Sequence, residues 1–337
     1  MKNIIITGGC GFLGSNFIKI FKVKNPEWHI INIDALTYAG NLGNLKEIEN
    51  SSNYTFIHMN IKDDSIADVF KDFKPDIVLS MASETHVDRS IKDPRAFLES
   101  DILGVFNLAY NSLKYGVKKF FHISTDEVYG SLKHPTEASE YFNLNPTSPY
   151  AASKAAADLL LLSYYKTYKL PLTIIRPCNN YGNSQFAEKL IPTTIARFLT
   201  GKRAIMHGTG KEIREWITVH GCCNAILGII KKGRVGEIYN VGSGIRLTNM
   251  MVVREIIHEI FGMFGKPTDF IEFVMNRPGN DSRYAINSSK TEKLIGKYEL
   301  ITFKEGIRAT VDWYRKNKWF WCETNLDSNL YSEEYLR

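Results

Sequence analysis

Short apolar runs recur through the first half of the chain, and stretches with helical spacing lie between them. The runs are Ile4–Thr7, Ile30–Ile33, Tyr54–His58, Ile77–Met81 and Phe120–Ser124, with a further one at Leu172–Arg176. The helical stretches include Gly14–Phe21, Phe97–Tyr115 and Ala151–Tyr168. The runs are mostly apolar, as expected of strands buried on both faces. Strand and helix in alternation then predict an α/β fold, a doubly wound parallel sheet covered on both sides. After about Pro177 the rhythm breaks into polar loops, short helices and two glycine-rich turns, His207–Gly210 and Gly242–Gly244. This pattern predicts a sheet domain over residues 1–177, to which some later segments return. A smaller α/β lobe is expected over 178–327, then a polar tail over 328–337. A length of 337 residues accommodates one large α/β domain or two such lobes.

Composition removes several classes of function. No window approaches the roughly 18 apolar residues of a membrane-spanning helix. The N-terminus runs directly into the strand at Ile4–Ile6 and lacks the longer apolar region of a signal peptide, so a cytoplasmic protein is expected. The net charge of +6 is spread along the chain. No basic stripe with interleaved aromatics points to nucleic acid, whereas a modest positive excess suits an anionic small substrate. Cys10, Cys178, Cys222, Cys223 and Cys322 form no C-x-x-C pair and are expected as small buried hydrophobes. His86 and His220 read as ordinary polar histidines, and no cluster has zinc-ligand spacing, so no metal is expected.

Candidate chemistry begins at Thr7–Gly14, which joins the first strand to the first helix. Gly8, Gly11 and Gly14 form a G-x-x-G-x-x-G series. Glycine permits a tight turn and lets backbone N–H groups reach a pyrophosphate, while the helix N-terminus adds partial positive charge. Asp34 ends the next strand, 20 residues after Gly14. A carboxylate there suits the ribose hydroxyls of NAD and repels the 2′-phosphate of NADP.

Tyr150 and Lys154 lie four residues apart on an expected helix, hence on one face. An ammonium near the phenol, with the nicotinamide charge close by, is expected to favour phenolate and make the tyrosine a base. Ser124-Thr125-Asp126-Glu127 ends the fifth strand, at the edge where open α/β sheets place their catalytic groups. A simple alcohol dehydrogenase needs a hydroxyl here but not two adjacent carboxyl groups. The pair suggests one acid and one base with separated pKa values.

With these residues together the chain resembles the extended short-chain dehydrogenase/reductases. Within them it is similar to the nucleoside-diphosphate-glucose 4,6-dehydratases, over roughly residues 1–320. The likeness rests on Thr7–Ser15, Asp34–Asn41, Glu84–Ser90, Ser124–Gly130, Asn179–Gly182, Glu188–Pro192 and Arg277–Gly279. The Thr-Asp-Glu triplet is the most specific of these, because related epimerases and decarboxylases usually lack it.

The resemblance implies an NAD-binding Rossmann fold with NAD bound through turnover. It implies a lyase acting on dTDP-glucose, with UDP-glucose as the alternative and a nucleotide-sugar 4-epimerase as a less favoured one. Tyr150 would take the 4-hydroxyl proton, Thr125 would hydrogen-bond that hydroxyl, Glu127 would remove the C5 proton and Asp126 would protonate the departing 6-hydroxyl. Lys154 would assist Tyr150. Cofactor contacts would come from Gly8, Gly11, Phe12, Leu13, Gly14, Asp34, Ala35, Leu36, Thr37, Asn60, Ile61, Met81, Ala82, Ser83, Ser100, Tyr150, Lys154 and Asn180. Substrate contacts would come from Thr85, Thr125, Asn179, Lys189, Leu190, Ile205, His207, Arg214, Asn249, Arg277 and Asn280. Arg214 would meet the diphosphate through its charged fork, where the alternative is an ion pair with Glu212 or Glu215. A homodimer is implied, through a four-helix contact of Phe97–Tyr115 and Ala151–Tyr168.

Four places depart from the family pattern. Asn60 stands where an adenine-binding aspartate is usual, and Met81-Ala82-Ser83 replaces Leu-Ala-Ala. His220-Gly221 replaces Glu-Asp, removing acidic groups near the junction of the lobes, and Asn280 replaces a histidine. These changes bear on affinity and nucleotide choice more than on reaction type.

Overall fold

Ile4, Ile5 and Ile6 are fully buried because their strand runs through the middle of a sheet. The computed structural model describes residues 2–262, 266–322, 324 and 326, so the expected tail over 328–337 lies outside the described residues. The strands are β1 (Lys2–Thr7), β2 (Trp28–Asp34), β3 (Tyr54–His58), β4 (Ile77–Ser80), β5 (Lys119–Ile123), β6 (Leu172–Pro177), β7 (Asn179–Tyr181), β8 (Ala204–His207), β9 (Ile213–Thr218), β10 (Ile238–Val241), β11 (Arg246–Thr248) and β12 (Ile271–Val274).

Seven of them form one sheet in the order β10-β6-β5-β4-β1-β2-β3, with every pairing parallel. The chain leaves β1 toward β2 and β3, then returns to the other side at β4. That reversal opens a crevice at the carboxyl edge between β1 and β4, the usual place for a ligand in such sheets.

Side chains alternate across the sheet. Ile4 and Ile6 join one core and Ile5 the other. The first core is completed by helices α1 (Phe12–Lys24), through Phe17 and Phe21, and Val219–Lys232, through Ile226 and Ile229. The second is completed by Phe70, Val105, Leu108 and Leu161. These come from α2 (Ile66–Phe73), α5 (Val105–Lys114) and α6 (Pro149–Tyr168). Between α2 and α5 lie α3 (Val87–Lys92) and α4 (Pro94–Leu98). Each such aliphatic side chain removed from water contributes about 2 kcal/mol. Three segments beyond Pro177 thus belong to this layer, the helix Val219–Lys232 and the stretch Ile286–Tyr298 on its face and β10 at its edge beside β6.

The remaining segments build a smaller unit with its own core, including Ile195, Trp216, Val252, Ile256, Ile307 and Val311. In it β9 pairs with β7 and β11, and β8 pairs with β12.

Two local findings differ from the sequence expectation. The helix expected over Phe97–Tyr115 is interrupted by a π-helical segment at Glu99–Gly104. An inserted residue rotates the later turns of the helix about its axis, and here the fully buried Asp101 accepts a 2.6 Å hydrogen bond from Ser153 of α6. Cys322 is exposed, unlike the other four cysteines.

The missing acidic groups at His220-Gly221 are supplied from elsewhere. Glu299 Oε2 accepts hydrogen bonds from Thr218 N and Oγ1, both 2.7 Å, at the start of Val219–Lys232. A carboxylate there complements the helix N-terminus. Glycine at 221 makes the room, since a Cβ would lie 2.5 Å from that oxygen.

Candidate active site

The carboxyl edge of the large sheet and the smaller unit together enclose a cavity of ≈ 570 Å³. On the sheet side its floor is the glycine turn. Gly8 has φ +70°, and a Cβ on it would meet Ala82 Cα at 2.8 Å, so the loops after β1 and β4 close against each other. A Cβ on Gly14 would lie 2.2 Å from Gly8 O. The N-cap of α1 is Gly11, with no side chain to occupy the first N–H groups and no acid in the first turn. Such a helix end fits a pyrophosphate, so the residues present here suit NAD.

Asp34 lines the same cavity. Its Oδ2 accepts from Cys10 N and its Oδ1 from Leu36 N, each at 2.8 Å, which leaves a lone pair on each oxygen for a further donor. Burial raises its carboxyl, and those two backbone bonds work against the rise. Leu36 is the one expected cofactor residue that does not line the cavity: its side chain packs on the core and its contribution is the N–H given to Asp34, at φ +49°. Asn60 spends its Oδ1 on Lys62 N at 3.1 Å, a local turn that leaves the amide N–H₂ as its free donor.

The reacting groups sit at the end of β5 and the start of α6. Ser148 caps α6 by accepting from Ala151 N at 3.1 Å, and Pro149 occupies the first turn. That start fixes Tyr150 and Lys154 on the inner face, both buried. Tyr150 packs edge-on to Phe97 at 6.2 Å. Lys154 Nζ donates to the Ile123 carbonyl at 2.7 Å. Thr125 caps a short turn over Asp126–Tyr129 by accepting from Glu127 N at 3.2 Å. Thr125, Asp126 and Glu127 line the cavity together with Tyr150 and Lys154.

The electrostatics single out Asp126. Asp126 is buried, and burial holds its carboxyl well above the usual range. The carboxylates of Glu127 and Glu215 push it further, and Arg214 opposes them. The chain's own groups bear on Tyr150 without the nicotinamide charge that the expectation includes. Burial holds the phenol well above its ordinary value, the carboxylates of Glu127 and Asp101 add to this, and Thr125 works the other way. Lys154 keeps two further donors and its charge beside that bond to the Ile123 carbonyl.

Across the cavity stand Thr85, Asn179, Lys189, Leu190, Ile205, His207, Arg214, Asn249, Arg277 and Asn280. Lys189 donates to the Thr85 carbonyl. Arg277 Nη1 pairs with Asp88 Oδ1 at 3.2 Å. Asn249 reaches Glu212 at 3.5 Å, and His207 reaches the Met275 carbonyl at 3.3 Å. Arg214 bonds the Ile213 carbonyl at 3.0 Å and Asn280 Oδ1 at 3.1 Å. Glu215 pairs with Arg246 at 2.8 Å. The asparagine at 280 thus orients the Arg214 fork. Phe12, Leu13, Ala35, Thr37, Ile61, Met81, Ser83, Ser100 and Asn180 complete the cofactor side.

The sequence alone did not single out Asp101 or Tyr284, and Glu84 stood there only as the first residue of a motif, with no role. Glu84 lines the cavity, and burial raises its carboxyl. Tyr284 lies four residues beyond the Asn276–Asn280 loop, but its partner Glu127 is 157 residues away in the chain. No spacing rule connects them.

A Rossmann sheet, a glycine turn and a Tyr-x-x-x-Lys pair define an extended short-chain dehydrogenase/reductase. The family model for GDP-mannose 4,6 dehydratase matches residues 5–310. The chain belongs to that family. It is 40% identical to the Escherichia coli dTDP-glucose 4,6-dehydratase over 344 residues, covering 94% of this chain and 95% of the relative. Among solved structures, the Bacillus anthracis dTDP-glucose 4,6-dehydratase in complex with NAD is 40% identical with a TM-score of 0.87, covering 96% of this chain and 99% of that one. The Streptomyces venezuelae dTDP-glucose 4,6-dehydratase, also solved with NAD, is 36% identical with a TM-score of 0.90, covering 95% and 98%.

Proposed function

We propose that the chain catalyses the NAD-dependent dehydration of dTDP-glucose to dTDP-4-keto-6-deoxy-glucose. The observation that carries this reading is the lining of one cavity by Asp126, Glu127, Thr125, Tyr150 and Lys154. Held by the glycine turn and Asp34, NAD would supply the hydride chemistry, a hydride acceptor for C4 and a donor for C6. The protein supplies everything else. The Lys154 ammonium and the nicotinamide charge of bound NAD would favour the Tyr150 phenolate, which takes the 4-hydroxyl proton as the C4 ketone forms, and Thr125 hydrogen-bonds that oxygen. The ketone acidifies C5. Glu127 removes the C5 proton, the C–H pair becomes the C5–C6 double bond, and the C6–O bond breaks. Asp126, which its surroundings keep protonated, gives its proton to the leaving oxygen and releases water. Glu127 then returns its proton to C5. The proton that Tyr150 gains balances the one that Asp126 gives. A 4-epimerase has no elimination step and would leave this carboxyl pair without work.

Arg214, oriented by Asn280, suits the diphosphate, and Lys189, Asn179 and Asn249 suit the sugar and nucleotide. No helix among the described residues is long and apolar enough to cross a membrane, in keeping with a cytoplasmic enzyme on a soluble nucleotide sugar. A homodimer forms through the outer face of α5 and α6. The chain is to be incubated side by side with dTDP-glucose and UDP-glucose, then made alkaline. The ultraviolet absorbance of a 4-keto sugar nucleotide is expected with dTDP-glucose. None with either substrate would remove the dehydratase reading. Glu127→Gln should still reduce bound NAD on adding substrate and fail to release water; dehydration at the wild-type rate would refute its role as base.

A further inference from the structure

Tyr284 has no part in the mechanism above, although its side chain is buried and lines the cavity. Its hydroxyl donates to Asp281 Oδ2 at 2.7 Å. Thr147 Oγ1 donates to the same oxygen at 2.6 Å. The Tyr284 oxygen also lies 3.4 Å from Glu127 Oε2. Its ring lies under the Arg214 guanidinium, whose carbon is 4.3 Å from the ring centroid. One side chain therefore touches both the carboxyl assigned to C5 and the cation assigned to the diphosphate.

A phenol has one hydrogen and two lone pairs. The shorter contact commits that hydrogen to Asp281, which leaves the oxygen facing Glu127 as an acceptor. An acceptor at that point favours Glu127 as the carboxylic acid, the form it takes after removing a proton from carbon. Burial and the Glu127 carboxylate both hold the Tyr284 phenol well above its ordinary value, so the hydroxyl stays a hydroxyl.

We propose that Tyr284 is a positioning residue for Glu127, whose hydroxyl holds the protonated carboxyl in place between removal of the C5 proton and its return. No covalent bond to Tyr284 forms or breaks. When Glu127 is ionised the contact is long and weak. When Glu127 carries the proton, its O–H donates to the Tyr284 oxygen, and the Tyr284 hydrogen remains on Asp281. The chain Thr147–Asp281–Tyr284–Glu127 spans two loops far apart in sequence, so it also couples the loop that carries Asn280 to the base.

This inference rests on the dehydratase reading, and one experiment separates the two. Tyr284→Phe keeps the ring beneath Arg214 and removes only the hydroxyl. KM for dTDP-glucose should stay within about twofold, while kcat falls by about tenfold or more. In a single turnover the absorbance of reduced nicotinamide should build up, because the first oxidation proceeds and elimination lags. A purely structural role would lower cofactor content and melting temperature and raise KM, without that build-up. If Tyr284→Phe does not fold, Asp281→Asn is the second variant. It frees the Tyr284 hydrogen from a charged acceptor and should show the same split between kcat and KM. Unchanged kcat, or a loss confined to KM, overturns the assignment. If wild type turns over dTDP-glucose and the variant matches it, only the Tyr284 role falls. If wild type does not turn over dTDP-glucose at all, the parent reading falls and takes this role with it.

Discussion

Arg176 Nε donates to Asp158 Oδ2 at 2.8 Å, with both side chains buried beneath the reacting groups. Ser124 Oγ donates to the same carboxylate oxygen at 3.0 Å, and Arg176 Nη1 donates to Tyr129 Oη at 2.9 Å. Asp158 lies one helical turn beyond Lys154 on α6. The pair therefore ties α6 to β6 and to the strand end that presents Thr125, Asp126 and Glu127. Removing one partner leaves the other charge buried and uncompensated, which costs about 3–5 kcal/mol. Asp158→Ala should lower the urea midpoint accordingly, and Asp158→Leu combined with Arg176→Met should recover most of it. Equal stability of Asp158→Ala and wild type would show that the pair is not a strut between α6 and β6.

The glycine turn makes a sharper prediction. A Cβ on residue 14 would lie 2.2 Å from the Gly8 carbonyl, and backbone cannot yield as a flexible side chain can. Gly14→Ala should open the turn and withdraw the N–H groups of α1 from a pyrophosphate. The purified variant is expected to carry little or no NAD, with affinity reduced by about a hundredfold or more, as when a positioned contact set is lost. Titration by quenching of protein fluorescence measures this. Wild-type NAD content would contradict the placement of the pyrophosphate at this turn.

The strands of the sheet were legible because their runs are mostly apolar and bounded by turns. Tyr54–His58 coincides with β3, and the others differ from the observed strands by a few residues at their ends. The glycine turn, Asp34 and the Thr-Asp-Glu triplet were legible because each is local. The π-helical segment at Glu99–Gly104 was not, since a single inserted residue barely disturbs a helical hydrophobic pattern. Leu36 was assigned by its place in a motif, but its backbone does the work and its side chain joins the core. Glu299 and Tyr284 act on residues 81 and 157 positions away, and only folding brings them there. The expected Tyr150 phenolate rests on its lysine neighbour and the nicotinamide charge. Burial and two carboxylates, none of them adjacent in sequence, act the other way on the phenol.

Replacing Asp126 should move stability and activity in opposite directions. Burial, then Glu127 and Glu215, raise its carboxyl well above the ordinary 3.8. The native state keeps this proton at pH values where the unfolded chain releases it. The stabilisation is therefore complete below the unfolded value and is lost as pH rises through the native one. Asp126→Asn removes this dependence. Relative to wild type, the variant should gain ~1.4 kcal/mol for each unit separating the native and unfolded values, with the gain levelling off above the native value. Urea midpoints measured across that interval test it; a gain that shrinks with rising pH would reverse the sign. The same variant has no proton to give a leaving hydroxyl, so dehydration should fall by about a hundredfold or more.

The outer face of α5 and α6 is apolar where water would otherwise meet it. Phe106 and Tyr110 of α5, Leu103 just before it and Leu159 of α6 are exposed. Phe106 stacks on Tyr110 at 6.0 Å and meets Tyr164 edge-on at 6.3 Å, while Tyr164 meets Tyr168 at 5.1 Å. A contiguous aromatic patch of this kind on two packed helices is costly to leave in water. A second copy related by a two-fold axis would cover it with the same patch and make a four-helix contact. Phe106→Arg with Leu159→Arg places cations on both sides of that axis, where they repel each other and cannot be desolvated cheaply. Sedimentation at micromolar concentration should show a dimer for wild type and a monomer for the double variant. A monomeric wild type, or a double variant that remains dimeric, would mean that this face is not where two copies meet.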